Sequence, residues 1–96
     1  MDITEFCYEA VWKYGRDAQT DMAIEECSEL IQALCKNKRG RDNRENVIEE
    51  IADVKIMIEQ LCVIFAITGR ELKDMENRKI QKMLDRWEAE ACSTSE

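Results

Sequence analysis

Five acidic residues with matching spacing form the chemically most informative feature of the sequence. The segment IEECSEL carries Glu25, Glu26 and Glu29, and the segment EIAD carries Glu50 and Asp53. Glu26 and Glu29 are three residues apart, as are Glu50 and Asp53, so each pair would share one face of a helix. Carboxylate oxygens, without nitrogen or sulfur, are the ligands that Mg²⁺ or Mn²⁺ prefers. The spacing therefore predicts a divalent-metal site, provided that the two pairs meet.

The elements that must position these acids are predicted to be helices. The chain of 96 residues has no proline and only three glycines, a composition typical of an all-α protein. A chain of this length is predicted to form one domain, and its small core favours assembly into an oligomer. Apolar periodicity and the glycines predict four helices, at about residues 3–14, 18–37, 43–67 and 69–91, followed by a frayed tail at 92–96.

Capping residues mark the predicted helix starts. Asp17 is a plausible cap for the second helix, and Asp42 with Glu45 has the spacing of a capping box before the third. Thr68 and Glu71 repeat that spacing before the fourth helix. The short loop between the second and third helices makes these two helices antiparallel neighbours.

Helical wheels distinguish the acids by their environment. Glu26 falls inside the apolar arc of the second helix and Glu29 at its margin, whereas Glu25 faces water. Glu50 falls inside the apolar arc of the third helix, and Asp53 lies at its margin. The polar side of the third helix is predicted to carry Glu49 and Gln60.

A cation would resolve the repulsion that this arrangement creates. Four carboxylates from antiparallel neighbours would face one another at the edge of the core, where an uncompensated charge is costly. Two other interpretations remain open: the acids are surface charges that an idealised wheel misplaces, or one or two of them pair with lysine or arginine of the fourth helix.

Composition excludes several classes of function. The sequence has no histidine, which excludes Ser-His-Asp and Cys-His nucleophile systems. The formal net charge of −7 disfavours nucleic-acid binding, because a polyanion is repelled. No apolar run reaches the length of a membrane span, and the first ten residues lack the features of a signal peptide. Five cysteines without CxxC spacing favour reduced thiols, and we expect a cytoplasmic protein.

The double acidic motif resembles that of a known enzyme family. Glu25-Glu26-x-x-Glu29 followed by Glu50-x-x-Asp53 is similar to the EExxE…ExxD signature of the MazG-like, all-α nucleoside triphosphate pyrophosphohydrolases. The segments KYGRDAQTDMAIEECSELIQALCK and RKIQKMLDRW also resemble the family's first acidic motif and the basic stretch of its last helix.

The resemblance implies a four-helix MazG-like module that assembles into a homodimer or homotetramer. It implies Mg²⁺-dependent cleavage of a nucleoside triphosphate into monophosphate and pyrophosphate. The metal ligands would be Glu26, Glu29, Glu50 and Asp53. Glu25 would have an accessory catalytic role, as a ligand of a second metal or as a base that orients water. Gln19 matches a family position before the acidic motif, where it would contact the substrate.

Basic residues of the fourth helix are candidates for holding phosphates. Lys79 and Arg86 are seven residues apart and share a stripe, which Lys82 flanks. The alternative is pairing within the helix, for example between Glu76 and Lys79. Asn77 is a further candidate because of its position in this basic stretch.

Two aromatic residues lie off the apolar stripe of the first helix. Trp12 and Tyr8 are opposite the residues predicted to face the core, which indicates a second contact surface. This surface would be a subunit interface or a wall on which the nucleobase stacks.

The sequence thus predicts hydrolysis of (deoxy)nucleoside triphosphates to monophosphate and pyrophosphate. The alternative is a non-catalytic helical oligomer, with a structural metal or with an acidic cluster that pairs with basic groups. A third reading is a related pyrophosphatase that acts on another phosphoanhydride.

Overall fold

A computed structural model describes residues 1–94, and within that range the chain forms helices and no strand. The all-α prediction is confirmed, whereas the MazG-like module and the oligomeric assembly stay predictions. The chain divides into an N-terminal unit, Met1–Ala66, and a second unit that begins at Ile67. The single domain expected from the chain length stays a prediction. The helices are α1 (Ile3–Tyr14), α2 (Arg16–Lys38), α3 (Arg44–Ile64) and α4 (Gly69–Thr94).

A single glycine separates the first two helices. The Asp2 side chain caps α1 by accepting a hydrogen bond from the Glu5 N–H at 2.9 Å. Gly15 ends α1 with φ of +91°, a conformation that favours glycine, and α2 begins at the next residue. The predicted cap at Asp17 is wrong, because Asp17 lies inside the first turn of α2.

Helices α2 and α3 run antiparallel, as predicted. Near the start of α2, the Arg16 guanidinium donates to the Ile64 carbonyl at the end of α3, at 3.2 Å. Near the other end, the Asn43 side chain donates to the Ala33 carbonyl at 3.0 Å. These contacts fix which residues of the two helices face each other.

The start of α3 differs from the prediction. Asn43 is the N-cap residue, so Asp42 does not form the capping box expected with Glu45. The Asn43 side chain bonds to α2 and makes no cap bond to its own helix, so the loop is fastened to the neighbouring helix. At the other end, α3 stops at Ile64, before the predicted residue 67.

The core of the N-terminal unit is small and contains an unexpected polar pair. Much of the predicted apolar arcs remains exposed: Ile31 is 61 % exposed, and Phe65 is 56 % exposed. The small core between α1, α2 and α3 therefore covers only part of each predicted apolar arc. Gln60, which was predicted to lie on the polar side, is 2 % exposed, so that prediction is wrong. The buried residues in this unit are Cys7, Ala10, Gln19, Ala23, Ala33, Met57, Gln60 and Ile64.

The second unit contains α4. Thr68 caps it by accepting a hydrogen bond from the Glu71 N–H at 3.1 Å, as predicted. The helix continues to Thr94, beyond the predicted end at about residue 91, and residues 95–96 lie outside the described range. The expected fraying of residues 92–96 stays a prediction. None of the helices formed by residues 1–94 combines the length and the apolar character of a membrane-spanning segment.

Candidate functional site

The four predicted metal ligands converge between α2 and α3. Glu26 and Glu29 project from α2, Glu50 and Asp53 project from α3, and one carboxylate oxygen of each lies within 4.8 Å of the others. We call these four residues the acid cluster. The i, i+3 spacing places each pair on one helix face, and the antiparallel arrangement turns the two faces toward each other. Within residues 1–94, no other group of three or more potential ligands has this geometry.

Two oxygens of the acid cluster are buried without a hydrogen-bond partner. They are Oε2 of Glu26 and Oε2 of Glu50, one from each helix. All four side chains are half-buried, in agreement with the wheel positions. A buried carboxylate oxygen without a partner is costly, so this arrangement needs either a proton or a cation.

The pKa values of two of the acids are raised, which also shows that the ionised carboxylates are unfavourable at this position. Burial, together with the charges of Glu29 and Asp53, raises the pKa of Glu26 to about 7. Burial likewise raises the pKa of Glu50, with added repulsion from Glu29 and Asp53. Without a cation, the acid cluster therefore retains a proton near neutral pH. A divalent cation would displace that proton and allow every carboxylate to ionise.

The ligand chemistry fits a hard divalent cation. The acid cluster offers carboxylate oxygens alone, which suits Mg²⁺ or Mn²⁺ and not a metal that favours sulfur or imidazole. The unpartnered oxygens of Glu26 and Glu50 are the groups that such an ion would satisfy.

Two asparagine side chains, connected by hydrogen bonds, orient Glu50. Asn43 donates to Asn46 at 3.4 Å, and Asn46 donates to Oε1 of Glu50, also at 3.4 Å. This long hydrogen bond engages one oxygen of Glu50 and leaves the other, Oε2, for the acid cluster. The sequence analysis missed Asn46, although its i, i+4 spacing to Glu50 was a visible signal.

The two acids next to the cluster differ from its members. Glu25 and Glu49 are both exposed, which agrees with the wheels. Neither belongs to the group of converging ligands, so the accessory catalytic role of Glu25 stays a prediction.

A pocket of about 250 Å³ adjoins the acid cluster within the N-terminal unit. Glu26 and Asp53 form part of its wall, and a buried hydrogen bond from Gln19 Nε2 to Gln60 Oε1, at 2.7 Å, lies beside them. We call Gln19 and Gln60 the amide pair. The remaining lining residues are apolar: Phe6, Met22, Ile56 and Met57.

Gln19 was predicted from the family resemblance to contact the substrate, and it does line this pocket. Its burial in a bond to Gln60 was not predicted, because a polar residue on a wheel is read as facing water. Gln60 is therefore a residue that the sequence analysis missed. The expected substrate contact of Gln19 stays a prediction.

The predicted phosphate-binding residues all lie on α4, in the second unit. Lys79 and Lys82 line a surface depression of about 440 Å³, and Arg86 and Asn77 are exposed. Glu76 pairs with Lys73 at 3.8 Å and not with Lys79, the partner considered in the sequence analysis. The phosphate-binding roles of the four residues stay predictions.

Trp12 lies at a different surface of the N-terminal unit. Its side chain is 91 % exposed and borders a depression of about 790 Å³ on α1, together with Phe6, Lys13 and Tyr14. No member of the acid cluster lines this depression. The proposed stacking of a nucleobase on Trp12 stays a prediction, as does the alternative of a subunit interface.

Comparison of the chain with models of known protein families, with curated proteins and with solved structures finds no match. The resemblance to MazG-like enzymes therefore depends on the acidic motifs and the segments around them.

Proposed function

We propose that the protein hydrolyses (deoxy)nucleoside triphosphates to a nucleoside monophosphate and pyrophosphate, with Mg²⁺ as cofactor. The observation that supports this proposal is the pair of buried, unpartnered oxygens of Glu26 and Glu50, two residues whose carboxylates converge with those of Glu29 and Asp53. The oxygens of an acidic cluster that was fully exposed on the surface would be hydrated by water. Here the oxygens are withdrawn from water and lack a donor, which is the state that a bound cation would satisfy.

Overall charge supports a metal-dependent reaction on phosphates. A protein with a formal net charge of −7 repels a triphosphate, so binding at an acidic site needs an intervening cation. When bound, Mg²⁺ supplies positive charge that offsets the negative charge on the phosphoanhydride during hydrolysis.

The residues of the chain divide the remaining tasks. Glu26, Glu29, Glu50 and Asp53 would hold the ion, and Asn46 would orient Glu50 through its hydrogen bond. Because the sequence lacks histidine, a carboxylate is the expected proton acceptor for the attacking water, and Glu25 is a candidate.

The phosphates of the substrate need cationic or amide groups in addition to the ion. The basic stretch of α4 offers them, and a guanidinium or ammonium group is suited to phosphate oxygens. The candidates are Lys79, Lys82, Arg86 and Asn77.

Product analysis tests the proposal directly. The protein is incubated with each deoxynucleoside triphosphate and Mg²⁺, and nucleotides, pyrophosphate and orthophosphate are quantified. We expect equal amounts of monophosphate and pyrophosphate, and no product when a chelator is present. Orthophosphate with a diphosphate product would contradict the proposal, and so would an absence of turnover with all four nucleotides.

A non-catalytic metal-binding oligomer is the second candidate function. Apolar side chains of α2 and α3 are exposed in the single chain, for example Ile31 and Ile58, and a second copy of the chain would cover them. A homodimer or homotetramer fits both readings, so assembly does not decide between them. Mg²⁺ binding by calorimetry without turnover of any phosphoanhydride would favour the structural role.

A further inference from the structure

We propose that the pocket beside the acid cluster receives the nucleobase of the substrate and that the amide pair, Gln19 and Gln60, recognises the polar edge of that base. This inference rests on the proposed function. It adds a substrate-recognition role for Gln60, which no sequence motif indicated.

The buried position of the amide pair is the first argument. Gln19 is 8 % exposed and Gln60 is 2 % exposed, yet both line the pocket. Amide groups are costly to withdraw from water, and a purely apolar lining would be cheaper to build here. The polar groups at this position therefore favour a ligand that has polar groups of its own.

The remaining hydrogen-bonding capacity of the pair is the second argument. The bond between Gln19 and Gln60 uses one hydrogen of the first amide and one lone pair of the second. The Gln19 carbonyl and the Gln60 amino group therefore keep capacity for a ligand. If the oxygen and nitrogen positions of both amides were exchanged, one carbonyl and one amino group would still be available for a ligand. A nucleobase edge presents adjacent donors and acceptors, which complement this combination.

The apolar part of the lining suits the faces of a base. Phe6 contributes an aromatic ring from α1, and Met22 and Met57 contribute flexible thioether side chains. Flat heterocycles stack on aromatic rings irrespective of base identity. The volume of about 250 Å³ is below the range of about 300–1,000 Å³ that is usual for drug-sized ligands. It is thus suited to one part of a nucleotide.

The distance to the acid cluster is consistent with a nucleotide that spans both sites. Gln19 precedes Glu26 by about two helical turns on α2, and Gln60 follows Asp53 by about two turns on α3. Two turns correspond to about 10 Å along a helix axis, a distance that the sugar and the α-phosphate can bridge. Because Glu26 and Asp53 belong both to the acid cluster and to the pocket wall, the two sites are continuous.

Replacement of both amides by methionine tests the inference. Gln19→Met with Gln60→Met keeps the length of both side chains and removes their hydrogen-bonding groups. The measured quantity is kcat/KM for the four deoxynucleoside triphosphates, which share sugar and phosphates and differ in the base. Gln32→Met is the matched control, because Gln32 is an exposed glutamine on the same helix as Gln19.

We expect the wild type to discriminate among the four bases by about tenfold or more. In the double variant, kcat/KM for the preferred base should fall by about 10- to 100-fold, the range for lost hydrogen bonds to a substrate. The discrimination should shrink to about threefold. Gln32→Met should retain the wild-type pattern.

Two results would overturn the inference. The first is a wild type that does not discriminate among the four bases. The second is a double variant with unchanged discrimination, and if kcat/KM falls equally for all four bases, the two amides have a structural role. If the double variant does not fold, Gln60→Asn replaces it, because it withdraws the amide by one methylene and should also reduce discrimination. An inactive wild type would refute the proposed function, whereas an active wild type that gives one of these results would refute the inference alone.

Discussion

The α2–α3 interface contains two polar sites about two turns apart, and they differ in whether their groups satisfy one another. At the amide pair, Gln19 donates to Gln60 at 2.7 Å, so one donor and one acceptor of the pair satisfy each other. At the acid cluster, an oxygen of Glu26 and an oxygen of Glu50 are buried without a partner. An amide has both donors and acceptors, whereas an ionised carboxylate only accepts. Two amides can therefore stabilise a helix interface by themselves, but four carboxylates need a cation or a proton from outside.

The largest expected effect is the loss of activity when Glu50 of the acid cluster is replaced. Replacement of Glu50 by glutamine removes a charge that a metal needs, so kcat/KM with Mg²⁺ should fall by more than about 100-fold. Replacing a residue that only hydrogen-bonds to a metal ligand lowers metal affinity or activity by up to about 100-fold, and the loss of a ligand itself should exceed that. The same change relieves repulsion in the metal-free protein, so its thermal midpoint in the presence of a chelator should stay constant or rise.

Glu59→Gln is the matched control for this prediction. Glu59 is an exposed acid on α3 that does not belong to the acid cluster, and its replacement should change neither activity nor midpoint. A lower midpoint for Glu50→Gln in chelator would mean that Glu50 stabilises the fold, which contradicts the contrast between the two sites.

The second prediction concerns the amide pair, where removal of one partner should lower the stability of the protein. Gln60→Met leaves the buried Gln19 amide without its partner, so the free energy of unfolding should fall by about 1–3 kcal/mol. Urea denaturation of the metal-free protein measures this change. Replacement of both glutamines by methionine removes both polar groups and should recover most of the loss. If the double variant is as unstable as the single one, the pair contributes through shape and not through its hydrogen bond.

The third prediction uses pH to sharpen the same contrast. The pKa of Glu26 is raised from 4.5 to about 7, so the folded protein binds this proton more tightly than the unfolded chain. The contribution of Glu26 to stability is therefore fully present below about pH 4.5 and is lost as pH rises to about 7. Water near the half-buried side chain screens the effect, which should be on the order of 1 kcal/mol.

Glu26→Gln isolates this contribution from the other titrating groups. Between pH 4.5 and 7 without metal, the unfolding free energy of the wild type should fall relative to that of the variant, because Glu29 and Asp53 then face an ionised Glu26. Added Mg²⁺ at pH 8 should stabilise the wild type more than the variant. Parallel pH profiles for the two proteins would show that the proton is not held at Glu26.

The acid cluster was predictable from the sequence because periodicity determines it. The i, i+3 spacing and the inward positions of Glu26 and Glu50 depend only on helix geometry, and the short loop determines that the helices are antiparallel. The burial of Gln60 was not predictable in this way. A wheel assigns a polar residue to water, and only the opposite residue across the interface, Gln19, reverses that assignment.

The helix ends show the same difference: caps formed by nearby residues were predictable, and a cap altered by contact with another helix was not. Thr68 caps α4 through its own turn, so its role was evident from four consecutive residues. Asn43 replaces the expected Asp42 as the N-cap residue of α3, and its side chain bonds to Ala33 of the neighbouring helix. A competing contact to another element cannot be read from a capping pattern.

The smallest expected effect concerns the hydrogen bond that connects an amide to the acid cluster. Asn46 donates to Oε1 of Glu50 at 3.4 Å, a long bond that orients the carboxylate without neutralising it. Asn46→Ala should raise the Mg²⁺ concentration needed for half-maximal activity by about two- to threefold, the lower end for a lost hydrogen bond, and should leave kcat at saturating Mg²⁺ unchanged. Asn46→Asp replaces the donor by a fifth carboxylate, so the metal-free protein should be less stable than with alanine, whereas Mg²⁺ should stabilise it more. If Asn46→Ala lowers kcat at saturating Mg²⁺ instead, Asn46 acts on the reacting groups and not on the orientation of a metal ligand.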